Sequence, residues 1–248
     1  GNTNGEWDST TGVFKANPDA NAMGISGVIN YLNKFGRTGS VAGRYKRYDP
    51  VSELYYETLR YLQGLPPSDD AVSNITTAMY DGFPVFTDWT NLDPYAGRSS
   101  TGAYGCLKSN IVVIGDINTH DGSRFPATNV ANNIPNLNTW TTVVGNFEKG
   151  TVSNYSDGQG TTRQTGNPNT VNSNPRTDAI IGYAYWAHTH DIRGTTWTAQ
   201  PSKQRPGLRV KTFIFDVNEY GEQTNANTRR YRKQFFTAAK YGGFEADG

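Results

Sequence analysis

Apolar positions along the chain recur with a helical period in some stretches and run without interruption in others. The clearest helix lies in "YDPVSELYYETLRYLQG", residues 48–64, where Val51, Leu54, Tyr55, Thr58, Leu59 and Leu62 share one face. Asp49 is placed to cap it, Pro50 suits the first helical position and Gly64 can close the end. "AMGISGVINYLNKFG" (22–36) carries a similar stripe, Met23, Ile25, Val28, Ile29, Leu32 and Phe35, with Gly36 as a stop. "TDAIIGYAYWAHTHDIRG" (177–194) predicts a helix with Ile180, Ile181, Tyr183, Ala184, Ala187 and Ile192 turned inward. "NTRRYRKQFFTAAKYGGF" (227–244) predicts another, ended by Gly242 and Gly243.

Two segments lack the helical period. Residues 110–115 and 208–217 are apolar runs rich in β-branched and aromatic residues, each ending at an aspartate, Asp116 and Asp216. Residues 110–115, apolar without alternation, predict a buried strand as in the middle of a parallel sheet, and 208–217 predicts a second strand. From residue 48 onward the order is helix, strand, helix, strand, helix, which predicts an α/β fold with crossover helices. Residues 65–105 read as loop with one short helix or strand near 71–80. Residues 117–177 form a long insertion rich in Asn, Thr and Gly, whose only apolar core is 138–150.

Composition narrows the class of protein. The chain has 248 residues, enough for one large domain or two small ones. Charged residues are only 18% and the formal net charge is +1, so the surface is built mainly of uncharged polar groups. There is no basic stripe to hold nucleic acid. The cluster Arg229, Arg230, Arg232 and Lys233 reads as a solvated helix face. No apolar run approaches 18 residues, so no membrane span is expected. The single cysteine, Cys106, rules out a disulfide within the chain; its reading is either a small buried hydrophobe or a partner for a cysteine elsewhere.

The segment "CLKSNIVVIGDINTHDGSR" (106–124) concentrates candidate chemistry at a strand end. Ligands of open parallel sheets bind beyond the carboxyl ends of the strands, where Asp116 lies. It can serve a hard cation through oxygen, or simply cap the next turn. A metal-dependent phosphoesterase is a second reading, since "GDINTH" and "HTH" (188–190) partly match its motifs. The rest of that set is missing, and with three histidines in all a two-metal site is hard to assemble. No Gly-x-Ser-x-Gly is present, and "DINTHDG" and "DVNEYG" lack the closing glutamate of a calcium loop.

Seven ordered segments resemble the PilC/PilY family of tip-associated adhesins of bacterial type IV pili: "GVINYLNKFGRTG", "YDPVSELYYETLRYLQGLPP", "DGFPVFTDWTNLDPY", "CLKSNIVVIGDINTH", "AYWAHTHDIRG", "VKTFIFDVNE" and "FFTAAKYGGFEADG". The resemblance implies a von Willebrand factor A-like domain, with a mostly parallel sheet flanked by helices. Residues 1–248 would be that domain or the C-terminal part of one, completed by an upstream segment, with 117–177 as insertion. The plain alternative is that 12–16 and 84–89 complete a self-sufficient sheet.

For the site, the resemblance implies a Mg or Ca ion at the top of the sheet, with Asp116 as the aspartate after a later strand. The helix start at Asp49 and Ser52 occupies the place of the family's threonine; the Asp-x-Ser-x-Ser of the first strand does not occur here. It implies no enzymatic activity, and a location at the pilus tip or outer-membrane surface. Expected partners are the upstream and downstream parts of the parent protein, reached in part through Cys106, with minor pilins and a host or abiotic surface ligand. A structural fibre subunit is a further alternative.

Overall fold

The computed structural model describes residues 5–34, 50–89, 91–115, 136–147, 155–156, 162–163, 179–194, 200–216 and 234–245. Its elements, in order, are α1 (Val28–Lys34), α2 (Val51–Leu62), α3 (Asp69–Val72), a 3₁₀ turn (Thr77–Tyr80), β1 (Lys108–Gly115) and α4 (Leu137–Phe147). Then come β2 (Tyr155–Ser156), β3 (Thr162–Arg163), α5 (Ala179–Thr189), a 3₁₀ turn (Pro201–Lys203), β4 (Arg209–Asp216) and α6 (Gln234–Gly243). The chain divides into two compact units, residues 1–48 with 72–87 and residues 49–71 with 88–248.

In the smaller unit, polar side chains do most of the organising. Asn17, Asn21 and Asn30 bond to backbone carbonyls, and Ser26 Oγ donates to Asn17 Oδ1 at 2.8 Å. Glu6 accepts from the first N–H groups of α1, those of Val28 and Ile29, at 3.1 and 2.8 Å. A carboxylate there satisfies orphan donors and complements the helix dipole. Residues 22–27, expected to be helical, instead form turns in which Gly24 and Gly27 take positive φ, so α1 keeps only its last two turns. Phe83 packs edge-on against Tyr31 and under Lys34. The segment 12–16 makes one isolated bridge, Trp7 to Phe14, and 84–89 contains no strand, so neither completes a sheet.

The larger unit is built around α5. This helix is apolar almost all round, the pattern of a fully enclosed helix. Ala179, Ile180, Ile181, Gly182, Tyr183, Ala184 and Ala187 are buried, as is Ile192 beyond its end. It packs against α2, α4, α6 and β4. Small residues let its neighbours approach: a Cβ on Gly182 would lie 2.6 Å from the Thr141 backbone nitrogen of α4, and one on Gly242 of α6 would lie 2.7 Å from Ala184 Cβ.

Strand β1 pairs with β4 in parallel, Lys108 with Arg209 through Gly115 with Asp216. The inward face, with Ile111, Val210 and Thr212, is buried under α2, α5 and α6. Tyr55 of α2 reaches Thr212 Oγ1 at 2.8 Å, and burial raises its phenol pKa. The expectation that 110–115 is buried on both sides fails, and β4 shows the same one-sided burial. Val112, Ile114, Phe213 and Phe215 point outward and are exposed, because the sheet has two strands among the described residues and its helices pack on one face.

Helix α2 also departs from expectation. It begins at Val51 with Pro50 in the cap position and no side-chain cap. Leu54 is exposed, while Ser52 and Tyr56 are buried, so the inward face is rotated toward Tyr56, whose ring meets Tyr183. Within the insertion the apolar segment is α4, capped by Asn136, whose Oδ1 accepts from Thr139 N–H at 3.1 Å.

Candidate functional site

The carboxyl end of β1 meets the amino end of α2. A Cβ on Gly115 would lie 3.4 Å from Val51 Cγ2, so Ser52 starts its helix beside the strand end that Asp116 follows. Asp116 and Asp49 themselves lie outside the described residues. Asp216 closes β4 opposite Gly115. Among the described residues, no three His, Cys, Asp or Glu side chains gather as a metal would need.

Ser52 has a function the sequence did not signal. Its side chain is fully buried, and Oγ accepts the Ile180 N–H at 3.2 Å. Ile180 is the second residue of α5, so a serine 128 positions away helps to cap that helix. Ser52→Ala is expected to cost about 0.5–2 kcal/mol, the usual range for a lost cap. Denaturant unfolding should show the loss equally in EDTA and in Mg²⁺. A loss confined to the cation-containing sample would assign the hydroxyl to a metal instead.

The two histidines of "HTH" face different surroundings. His188 meets the Phe244 ring at 4.4 Å between centroids, and His190 lies between Trp140 (4.5 Å) and Trp186 (5.9 Å). Burial holds both imidazole pKa values below 6.5, with the nearby positive charge of Arg209 acting in the same direction. Near neutral pH they are uncharged packing groups. Their adjacent residue, Asp191, instead accepts Gly207 N–H at 2.8 Å and lies 3.4 Å from Arg209 Nε.

An open groove occupies the amino ends of the two strands, lined by Lys108, Arg209 and Lys211 together with His188, Phe244 and Glu245. Its positive charge is partly met from within: Lys211 donates to Glu245, and that bond holds the Glu245 carboxyl below its usual pKa. An outside anion at Lys211 would have to displace that carboxylate. Cys106 sits in the turn before β1 with an exposed free thiol. The buried-hydrophobe reading is thereby removed.

The strongest polar cluster was not predicted at all. Arg193 is fully buried after α5 and grips Asp93 with two bonds, Nη2 to Oδ1 at 2.7 Å and Nη1 to Oδ2 at 3.0 Å. Its Nε donates to the Leu62 carbonyl at 2.7 Å, and its guanidinium lies 4.8 Å from the Tyr95 ring centre. Gly64, at φ +67°, lies against the guanidinium, where a Cβ would come within 2.8 Å of Nη2. The only local hint was the Gly64 helix stop. The partners are 100 residues apart and carry no shared motif.

The class defined by these observations is an α/β protein which, among the described residues, has a two-stranded parallel sheet, helices on one face and polar groups at the strand ends. A family described as PilY1 homolog, second domain, matches residues 41–176, more than half of the chain, and the chain belongs to that family. The type IV pilus biogenesis factor PilY1 homolog of Xylella fastidiosa (strain Temecula1 / ATCC 700964) is 29% identical over 270 residues. That alignment takes in 98% of this chain and 20% of the relative, so the chain spans about a fifth of the relative's length. No solved structure matches the chain.

Proposed function

We propose that this chain is part of a type IV pilus tip-associated protein that acts in pilus assembly, surface sensing and adhesion, and does no catalysis. The observation that carries the reading is the PilY1-homolog match over 41–176, joined to an alignment with the Xylella pilus biogenesis factor that runs along nearly the whole chain. The engagement of His188 and His190 in ring packing supports a non-enzymatic role. In this reading the fold is von Willebrand factor A-like, and the protein lies on the outer surface, with minor pilins and a surface ligand as partners. A Mg or Ca ion would be held by Asp116 with the α2 start. Among the described residues no helix is long and apolar enough to cross a membrane.

The test is made in the parent protein of the source bacterium. Deleting residues 1–248 should abolish surface pili or attachment, and immunogold labelling of this chain should mark filament ends. Normal piliation and attachment, with label absent from pili, would overturn the assignment. Purified parent protein should hydrolyse neither phosphate esters nor carboxylic esters with added Mn²⁺. Turnover lost on His190→Ala would instead establish an enzyme.

A further inference from the structure

The groove at the amino ends of β1 and β4 is a charged cavity that neither the pilus reading nor the strand-end cation site uses. It is open and has a volume of about 490 Å³. The register pairs Lys108 with Arg209, and Lys211 follows two positions later on the same side of β4. Three cations therefore stand together on the outward side of the sheet. Asp191 answers Arg209 at 3.4 Å, but among the described residues no carboxylate is bonded to Lys108.

The two residues that follow α6 lie in this groove as a bound peptide would. Phe244 sets its ring against His188 at 4.4 Å between centroids, and the His188 ring bonds the Phe244 and Val210 backbone. Glu245 then turns its carboxylate to Lys211, within the field of Lys108. An aromatic ring followed by a carboxylate is thus the chemistry the groove already holds. The hold is weak: the Glu245 side chain is 73% exposed, and an ion pair so open to water contributes little. A carboxylate arriving from outside would replace that bond and gain Lys108 as a second donor.

We propose that this groove binds an acidic peptide of another protein, recognised by an aromatic residue followed by Glu or Asp, and that Phe244 and Glu245 occupy it until such a peptide displaces them. The incoming ring takes the place of Phe244 on His188, and the incoming carboxylate bridges Lys211 and Lys108. A peptide is favoured over an acidic sugar because the resident contact is T-shaped between two aromatic rings, at 72°, which a sugar does not supply. The chain continues into 116–135 and 217–233 from the carboxyl ends of the strands, roughly 23 Å from their amino ends at 3.3 Å per residue. Residues 195–199 carry no acidic side chain. Residues 246–248, which follow Glu245 directly, include one carboxylate, Asp247, and the experiment separates it from Glu245.

The experiment uses the full-length parent protein and a fluorescent peptide, Tyr-Gly-Gly-Phe-Glu-Ala, the sequence of residues 241–246. Fluorescence anisotropy should show the peptide binding Glu245→Gln about fivefold more tightly than wild type, because the tethered competitor is gone. Adding Lys108→Gln should weaken binding about tenfold, the scale of one lost hydrogen bond to a charged group. Replacing Glu by Gln in the peptide should do the same. Lys108 and Glu245 are both exposed, so neither change threatens the fold. Equal affinity for wild type and Glu245→Gln, equal affinity for the Gln peptide, or no binding to either protein would each overturn the proposal. So would a gain that appears only when Asp247→Asn is added, which would make Asp247 the resident group. Tighter binding of a glucuronic acid oligomer than of the peptide would assign the groove to an acidic sugar instead.

Discussion

Arg193→Ala should lower the stability of the larger unit by about 3–5 kcal/mol, the cost of breaking a buried ion pair by removing one partner. Asp93 would lose both bonds from the guanidinium, and the Leu62 carbonyl would lose its donor at the end of α2. The cavity left beside Gly64 and Tyr95 adds to the loss. Arg193→Lys should recover little, because an ammonium cannot supply the forked pair together with the bond to Leu62. Urea midpoints measure both variants.

The same pair predicts an acid response. Burial alone would raise the Asp93 pKa, but the Arg193 hydrogen bond, the Tyr95 N–H and the nearby Arg193 and Arg205 charges hold it below 3.8. A depressed carboxyl pKa contributes stability that is present above the unfolded value and lost as pH falls through the folded one. The gap between wild type and Arg193→Ala should therefore be full at neutral pH and narrow below pH 3.8. A gap that stays constant down to acid pH would mean that packing around the guanidinium, and not its charge, is what matters.

Gly182→Ala should destabilise the protein although it replaces a glycine inside a helix. Helix propensity alone favours alanine there by about 1 kcal/mol. The added methyl, however, would lie 2.6 Å from both the backbone nitrogen and Oγ1 of Thr141 and 3.1 Å from the Trp140 carbonyl carbon. Backbone cannot swing aside as a side-chain tip can, so α4 must move away from α5. Overpacking of this kind costs about 1–3 kcal/mol, enough to outweigh the propensity gain. Gly182→Leu should displace α4 altogether and with it the Trp140 contact to His190, which tryptophan fluorescence would register. A more stable Gly182→Ala would show that the two helices do not pack this closely.

Much of the larger unit was legible from local pattern. The inward set of α5 was readable because that helix is apolar on all sides, so every choice of face gives nearly the same answer. The strands were readable from their β-branched and aromatic runs. The inward face of α2 was less so: Leu54 and Tyr56 sit two positions apart, and hydropathy cannot tell which of them the stacking on Tyr183 will bury. The 22–27 segment misled because its apolar spacing is helical while its glycines adopt positive φ, which a helix excludes.

The candidate site was legible only as a location. Asp116 and Asp49 were singled out by their places relative to a strand and a helix, and they lie outside the described residues. Ser52 was singled out on the same grounds, and the structure gives its hydroxyl to the Ile180 N–H, a partner on another helix. Cys106 was left open between two environments; exposure is a property of the surroundings, which one cysteine in a sequence does not carry.

By itself, then, the sequence determined the main helices and strands from residue 48 onward, their α/β order and the family, because period, side-chain branching and the order of the family-like segments are written along the chain. Tertiary structure alone decided the Arg193–Asp93 pair, the Ser52 cap on α5, the close passage of α4 over Gly182 and the exposure of one sheet face. Each of these depends on which distant surfaces come within a few ångströms of one another. Hydrogen bonds and packing act at that range, and nothing in a local run of residues specifies it.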